Sequence, residues 1–199
     1  MTTTLNKGVL PVVTAAVLRA VLLFALSSCT LFATREPEPP MSDRGTFLQP
    51  DTPDRVIENI RFAVGERNTR NYRRSLSDDL TFDPTATAQS QHPIWTGWTA
   101  GEEESYFASL VSAVAEAANM SLELNDVTLT AIDAEHFAFD ATYVITAEHN
   151  RQDIPVVFQG RLAWQLAQQV DGLWALESWV DREVGSEPSW SDLKAAFTG

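Results

Sequence analysis

The chain has 199 residues, of which 27 are acidic and 14 basic, giving a formal charge of −13; 44% are hydrophobic and one is cysteine. Such a charge repels polyanions, which excludes nucleic acid and the anionic face of a bilayer as electrostatic partners. The single cysteine excludes an intrachain disulfide, so the chain folds by burial alone.

Residues 1–28 carry only Lys7 and Arg19 as charges, and an apolar run from Ala20 to Leu26 leads into Ser27 and Ser28. Basic, then apolar, then small is the layout of an export signal. Arg19 splits the apolar stretch, and neither half approaches the roughly 20 apolar residues that span a bilayer. The tetrad Leu26-Ser27-Ser28-Cys29 resembles the lipobox of bacterial lipoproteins. That resemblance implies a diacylglyceryl group on the Cys29 thiol, cleavage just before it, and stable anchoring, since two or more acyl chains hold where one holds marginally. Thr30 stands where the resemblance would put an inner-membrane retention aspartate. An exported, periplasm-facing protein on the outer membrane, where there is one, is therefore expected. Cleavage would remove both early positive charges and leave 12 basic against 27 acidic residues, a charge of −15.

Pro37, Pro39, Pro40, Pro50 and Pro53 then mark a semi-rigid extended tether. The expected organisation is a lipoprotein signal peptide over 1–28, a lipidated cysteine and proline-rich tether over 29–51, and one folded domain over 52–199.

Thr52 is placed to cap a helix opening with Pro53, in which Val56, Ile57, Ile60, Ala63 and Val64 recur on one face. A second short helix follows Asn68 and Thr69, and a brief strand, Leu80 to Asp83, is stopped by Pro84. From Thr85 to Gly97 the chain reads as irregular. Thr99 and Glu102 form a capping box, and Glu102, Glu103 and Glu104 read as helix-terminus electrostatics. The helix they open buries Phe107, Leu110, Val111, Val114 and Ala118.

After Asn119 the period becomes two, with a slip near Asn125–Asp126 that predicts a bulge. Alternation over Phe137, Phe139, Ala141, Tyr143 and Ile145, and again over Phe158, Leu162, Trp164 and Leu166, predicts half-buried antiparallel strands. Asp171-Gly172 is a hairpin turn signal. A closing helix over 189–197 puts Trp190, Leu193 and Phe197 on one side.

Helices first and long antiparallel strands later is an α+β plan, with the sheet curving around the long helix. The segments Tyr72-x-x-x-Leu76-Ser77-Asp78-Asp79-Leu80-x-Phe82, Gly160-Arg161-x-x-Trp164 and Asp171-Gly172-x-Trp174-x-Leu176-x-x-Trp179-x-Asp181 resemble the NTF2-like superfamily, including its SnoaL-like members. The resemblance implies an NTF2-like cone, N-terminal helices packed on a curved antiparallel sheet. It also implies that catalytic members place a carboxylate, with a histidine or tyrosine, inside the cone.

For such chemistry the chain offers Asp181, Asp83 and Tyr143. Strict alternation puts Trp179 and Asp181 on the face opposite Trp174 and Leu176, unless a bulge at Glu177–Ser178 turns them in. A rim aspartate paired to Arg182 or capping a turn is the competing reading of Asp181. His92, His136 and His149 read as exposed or locally bonded, no metal-ligand spacing occurs, and no metal or cofactor is expected. Tyr106, Ala141, Tyr143, Trp164 and Trp179 are the candidate lining of a pocket for a small apolar ligand, or else simply core.

Three functions stay open. The first is a lipid-anchored envelope protein whose domain binds an envelope partner or small ligand without chemistry. The second is an acid–base enzyme of isomerase or dehydratase type working in the cone. The third is a structural subunit, dimerising through the exposed sheet face. A cavity containing an isolated, desolvated carboxylate would favour the second, and a cavity filled by its own tryptophans would favour the third.

Overall fold

The computed structural model describes residues 45–198. The signal segment, Cys29 with its lipobox, and the tether as far as residue 44 lie outside the described residues. Two helices come first, α1 (Pro53–Gly65) and α2 (Thr69–Arg74). Strand β1 (Leu76–Asp83), helix α3 (Ala86–Gln91), a 3-10 turn (Pro93–Trp95) and helix α4 (Ala100–Ala113) follow. Four strands, β2 (Met120–Ala131), β3 (His136–Ala147), β4 (Val157–Gln168) and β5 (Trp174–Arg182), lead to the last helix, α5 (Trp190–Phe197).

The strands form one sheet in the order β1-β5-β4-β3-β2. β2 to β5 pair antiparallel, and β1 adds parallel to β5 at the edge. The helix laid on the sheet is α1, against β2, β4 and β5, rather than the longer α4. α4 packs on α2, β1 and α5 instead. Val56, Ile60, Ala63 and Val64 of α1 are buried as their spacing requires. Thr52 stands at the N-cap without a side-chain hydrogen bond; Pro53, which needs no N–H partner, starts the helix instead.

Some segments differ from the sequence reading. Residues 45–51 are not free tether. Leu48 exchanges two 2.7 Å hydrogen bonds with the Asn59 side chain, Trp174 N–H donates to Pro50 O, and the Arg74 guanidinium lies 3.8 Å over the Phe47 ring. β1 starts at Leu76 rather than Leu80. The polar stretch after Pro84 holds α3, capped by the Thr85 hydroxyl.

The sheet's registers set the interior. A jump between Asn125 and Thr128, with Asp126 at φ 51°, is the bulge expected in β2. In β5 the register moves from Gln165–Ser178 to Leu166–Leu176, leaving Glu177 as an extra residue. That residue flips the strand's phase, so Trp174 and Leu176 before it and Trp179 and Asp181 after it are all buried on the inner face.

Gly160 has a related job. It pairs with Tyr143, and a Cβ there would stand 2.5 Å from the Tyr143 hydroxyl and 2.7 Å from Arg182 O. Glycine therefore lets the Tyr143 ring lie across β4 and reach β5.

Candidate functional site

α5 lies between the inner face of the sheet and α4, and every large side chain it turns inward is buried. A capping box of Ser189 and Asp192 starts it. The Trp190 ring stands edge-on to Trp179, centroids 4.4 Å apart, and to Tyr143 at 5.4 Å; its indole N–H donates to Tyr106 Oη at 3.0 Å. The cone is thus filled from inside by the chain's own closing helix.

Two polar clusters fix this helix. In the first, Asp181 accepts three hydrogen bonds: from Tyr143 Oη (2.7 Å), Ser191 N–H (2.7 Å) and Ser191 Oγ (2.6 Å). Tyr143 Oη in turn accepts the Trp190 N–H at 2.7 Å. Asp181 and Tyr143 therefore satisfy backbone donors of the first turn of α5, which have no partner within the helix. Burial pushes the Asp181 carboxyl above its ordinary range, against the hydrogen bonds from Ser191 and Tyr143 that favour the anion. Burial and the neighbouring Asp181 charge push the Tyr143 phenol up as well.

The second cluster was not anticipated. Glu103, fully buried, accepts from Lys194 Nζ (2.7 Å), Trp98 Nε1 (2.7 Å) and Tyr72 Oη (2.8 Å). Lys194 is also fully buried, with Nζ 3.4 Å from the centroid of Phe82 and 3.5 Å from that of Trp179. Desolvation pulls its amine down to about 8, while Glu103 works in the opposite sense. Of the three glutamates, Glu102 is the capping residue and Glu104 approaches Arg73, as expected of helix-terminus charges; Glu103 instead faces the interior.

Asp181 is therefore neither at a rim nor paired to Arg182. It is buried and caps α5, because the Glu177 bulge turns it inward. Asp83 is outside the cone, exposed at the end of β1 and lining a cleft of about 200 Å³ with His92 and Trp95. Tyr106, Ala141, Tyr143, Trp164 and Trp179 all point into the core, each at most 2% exposed. None of them borders that cleft or the two others described, of about 350 and 310 Å³. His136 bonds Asp133 at 2.9 Å and His149 the Pro155 carbonyl at 3.0 Å, both at the surface. Among the described residues no group of three His, Cys, Asp or Glu could hold a metal ion. Two buried donors, Trp164 Nε1 and Trp179 Nε1, have no hydrogen-bond partner.

Several solved structures share this architecture. A candidate aromatic-ring hydroxylase from Novosphingobium aromaticivorans is 12% identical, with a TM-score of 0.53 over 71% of this chain and 92% of that one. A candidate scytalone dehydratase from the same species is 8% identical, with a TM-score of 0.52 over 68% and 89%. An NTF2-like protein from Cytophaga hutchinsonii is 14% identical, with a TM-score of 0.49 over 65% and 93%. The fold is NTF2-like. No family profile matches the chain, and neither does any curated protein. Identities this low speak to the fold alone, so function is argued from the residues.

Proposed function

We propose that the chain is a lipid-anchored protein of the cell envelope whose NTF2-like domain is a binding module that performs no chemistry in its cone. One observation carries the second half. Each carboxylate in the cone accepts from three donors and is covered by α5, so neither is a free base beside open volume. A general base must reach the proton it takes, directly or through one water. Asp181 instead spends its acceptors on the start of a helix. Tryptophans filling the cone, taken alone, favour a structural subunit. The buried ammonium and the two indole donors without acceptors favour a ligand-binding role over that reading.

The first half rests on sequence. Leu26-Ser27-Ser28-Cys29 follows a short basic and apolar segment, and among the described residues no helix is long and apolar enough to cross a membrane. Acylated Cys29 then supplies the attachment.

Two variants test the halves separately in the producing bacterium. Cys29→Ala is expected to block acylation and leave the signal uncut or release the protein from the detergent phase. Unchanged maturation and partitioning would refute the anchor. Asp181→Asn is expected to lose stability by about 1–3 kcal/mol, the cost of a mismatched buried hydrogen bond, and to retain whatever cellular phenotype a gene deletion reveals. A folded Asp181→Asn protein that cannot complement the deletion would replace the binding module with the acid–base enzyme.

A further inference from the structure

We propose that Phe82, Trp179 and Glu103 form a binding site for an alkylammonium group, filled in this state by the chain's own Lys194, and that a ligand bearing such a group binds by displacing α5. The proposal rests on the binding-module reading and names its ligand class.

The geometry is that of ammonium recognition. Nζ sits over two aromatic faces at 3.4 and 3.5 Å, with Trp98 at 5.7 Å and Tyr106 at 6.0 Å, and one carboxylate oxygen at 2.7 Å neutralises it. Aromatic faces attract a cation through their quadrupole, most strongly when both are desolvated. The site also selects for shape. Lys194 is the one lysine in the chain besides Lys7, every other basic residue being arginine. A compact ammonium fits the corner made by two rings that stand at 88° to each other, whereas a planar guanidinium fork stacks on a single face.

The cage does not depend on α5. Phe82 comes from β1, Trp179 from β5 and Glu103 from α4, and the two rings hold each other edge-to-face at 5.4 Å. Tyr72 and Trp98 fix the Glu103 carboxylate from outside α5 too. α5 contributes no strand to the sheet, and residues 183–187 that join it to β5 are all exposed, with Gly185 at φ 71°. Leaving therefore breaks no ladder. Trp190, Leu193 and Phe197 hold α5 by burial, while the Lys194–Glu103 pair recovers little net stability after desolvation, so the ammonium is the part of the plug that a ligand replaces at least cost.

A second observation points to a ligand. Trp179, whose face carries the ammonium, has an indole N–H with no acceptor, and so does its cross-strand partner Trp164. Buried donors are almost always paired. An alkylammonium compound carrying an oxygen acceptor would satisfy in the cone what α5 leaves open.

The test uses the full chain in detergent. Lys194→Ala deletes the propylammonium portion of the side chain, and n-propylammonium chloride is the probe, with potassium chloride and n-propanol as controls. The variant's Tm should fall, and propylammonium should restore most of the loss saturably while neither control does. Tryptophan fluorescence should show propylammonium binding Lys194→Ala at least about tenfold more tightly than wild type, where α5 occupies the site for most of the time. In wild type the amine should speed amide exchange across 190–197 without affecting β4. If Lys194→Ala folds and propylammonium acts no differently from the controls, the cage is refuted. If Lys194→Ala does not fold, wild-type exchange decides alone, and an unchanged α5 refutes displacement. Amine binding together with an essential Asp181 would sink the binding-module reading and leave the cage; loss of amine binding with Asp181 dispensable would do the reverse.

Discussion

Glu103→Ala is expected to destabilise the domain by about 3–5 kcal/mol, the scale seen when one member of a buried ion pair is removed and the other stays behind. Lys194 would be left among Phe82, Trp98, Tyr106 and Trp179 with no carboxylate in contact, and would either carry an uncompensated charge or give up its proton. Tyr72 Oη and Trp98 Nε1 would lose their acceptor at the same time. The double variant Glu103→Gln with Lys194→Met should be far milder. It removes both charges, keeps one amide oxygen for Tyr72 or Trp98, and replaces the lysine stem by an unbranched side chain of similar volume. Urea unfolding of the two variants, with m unchanged, measures the difference. A single variant costing no more than the double would show that the pair is solvated and that α5 does not close over it.

Trp164→Ala is expected to cost about 3–5 kcal/mol, as truncation of a large buried aromatic does. Its ring lies 5.5 Å from Phe139 and 5.4 Å from Trp179, and its N–H makes no hydrogen bond, so the loss is one of packing. Trp190→Ala, by contrast, also gives up the bond to Tyr106. A loss below about 1 kcal/mol for Trp164→Ala, the scale of surface substitutions, would place that side chain outside the core and reverse the phase assigned to β4.

Local chemistry was legible in the sequence wherever neighbours in the chain decide it. The capping box at Thr99 and Glu102, the bulge beyond Asn125 and the turn at Asp171-Gly172 each depend on a few consecutive residues. The facing of Trp179 and Asp181 depended on a single extra residue, Glu177, whose insertion is decided by pairing with β4 and so is not local. α3 was hidden because Ala86–Gln91 is short and has one buried residue, which leaves no periodic signal.

The centre of the cone was readable in part, and the signal was passed over. Glu103 precedes Phe107 by four residues and Leu110 by seven, which puts it on the buried stripe of α4 rather than among the solvated charges. Lys194 likewise falls four after Trp190 and three before Phe197, on the apolar face of α5. Opposite charges on the inner faces of two helices are the mark of a pair. That they meet over Trp179 could not be read, since it requires α5 to fold back across the sheet.

The most direct measurement is the titration of the Lys194 amine by NMR on protein labelled with ¹⁵N at lysine, Lys194 being the one lysine that remains after residues 1–28 are removed. A buried amine paired to Glu103 should show slowly exchanging Nζ protons and a midpoint near 8, well below the 10.5 of a solvated lysine. Because the folded state then gives up its proton before the unfolded state does, this group makes stability rise with pH between about 8 and 10.5, by up to about 1.4 kcal/mol per pH unit. Rapidly exchanging protons and a midpoint near 10.5 would mean that Lys194 is in water, that α5 is not in the cone, and that the filled cone is wrong.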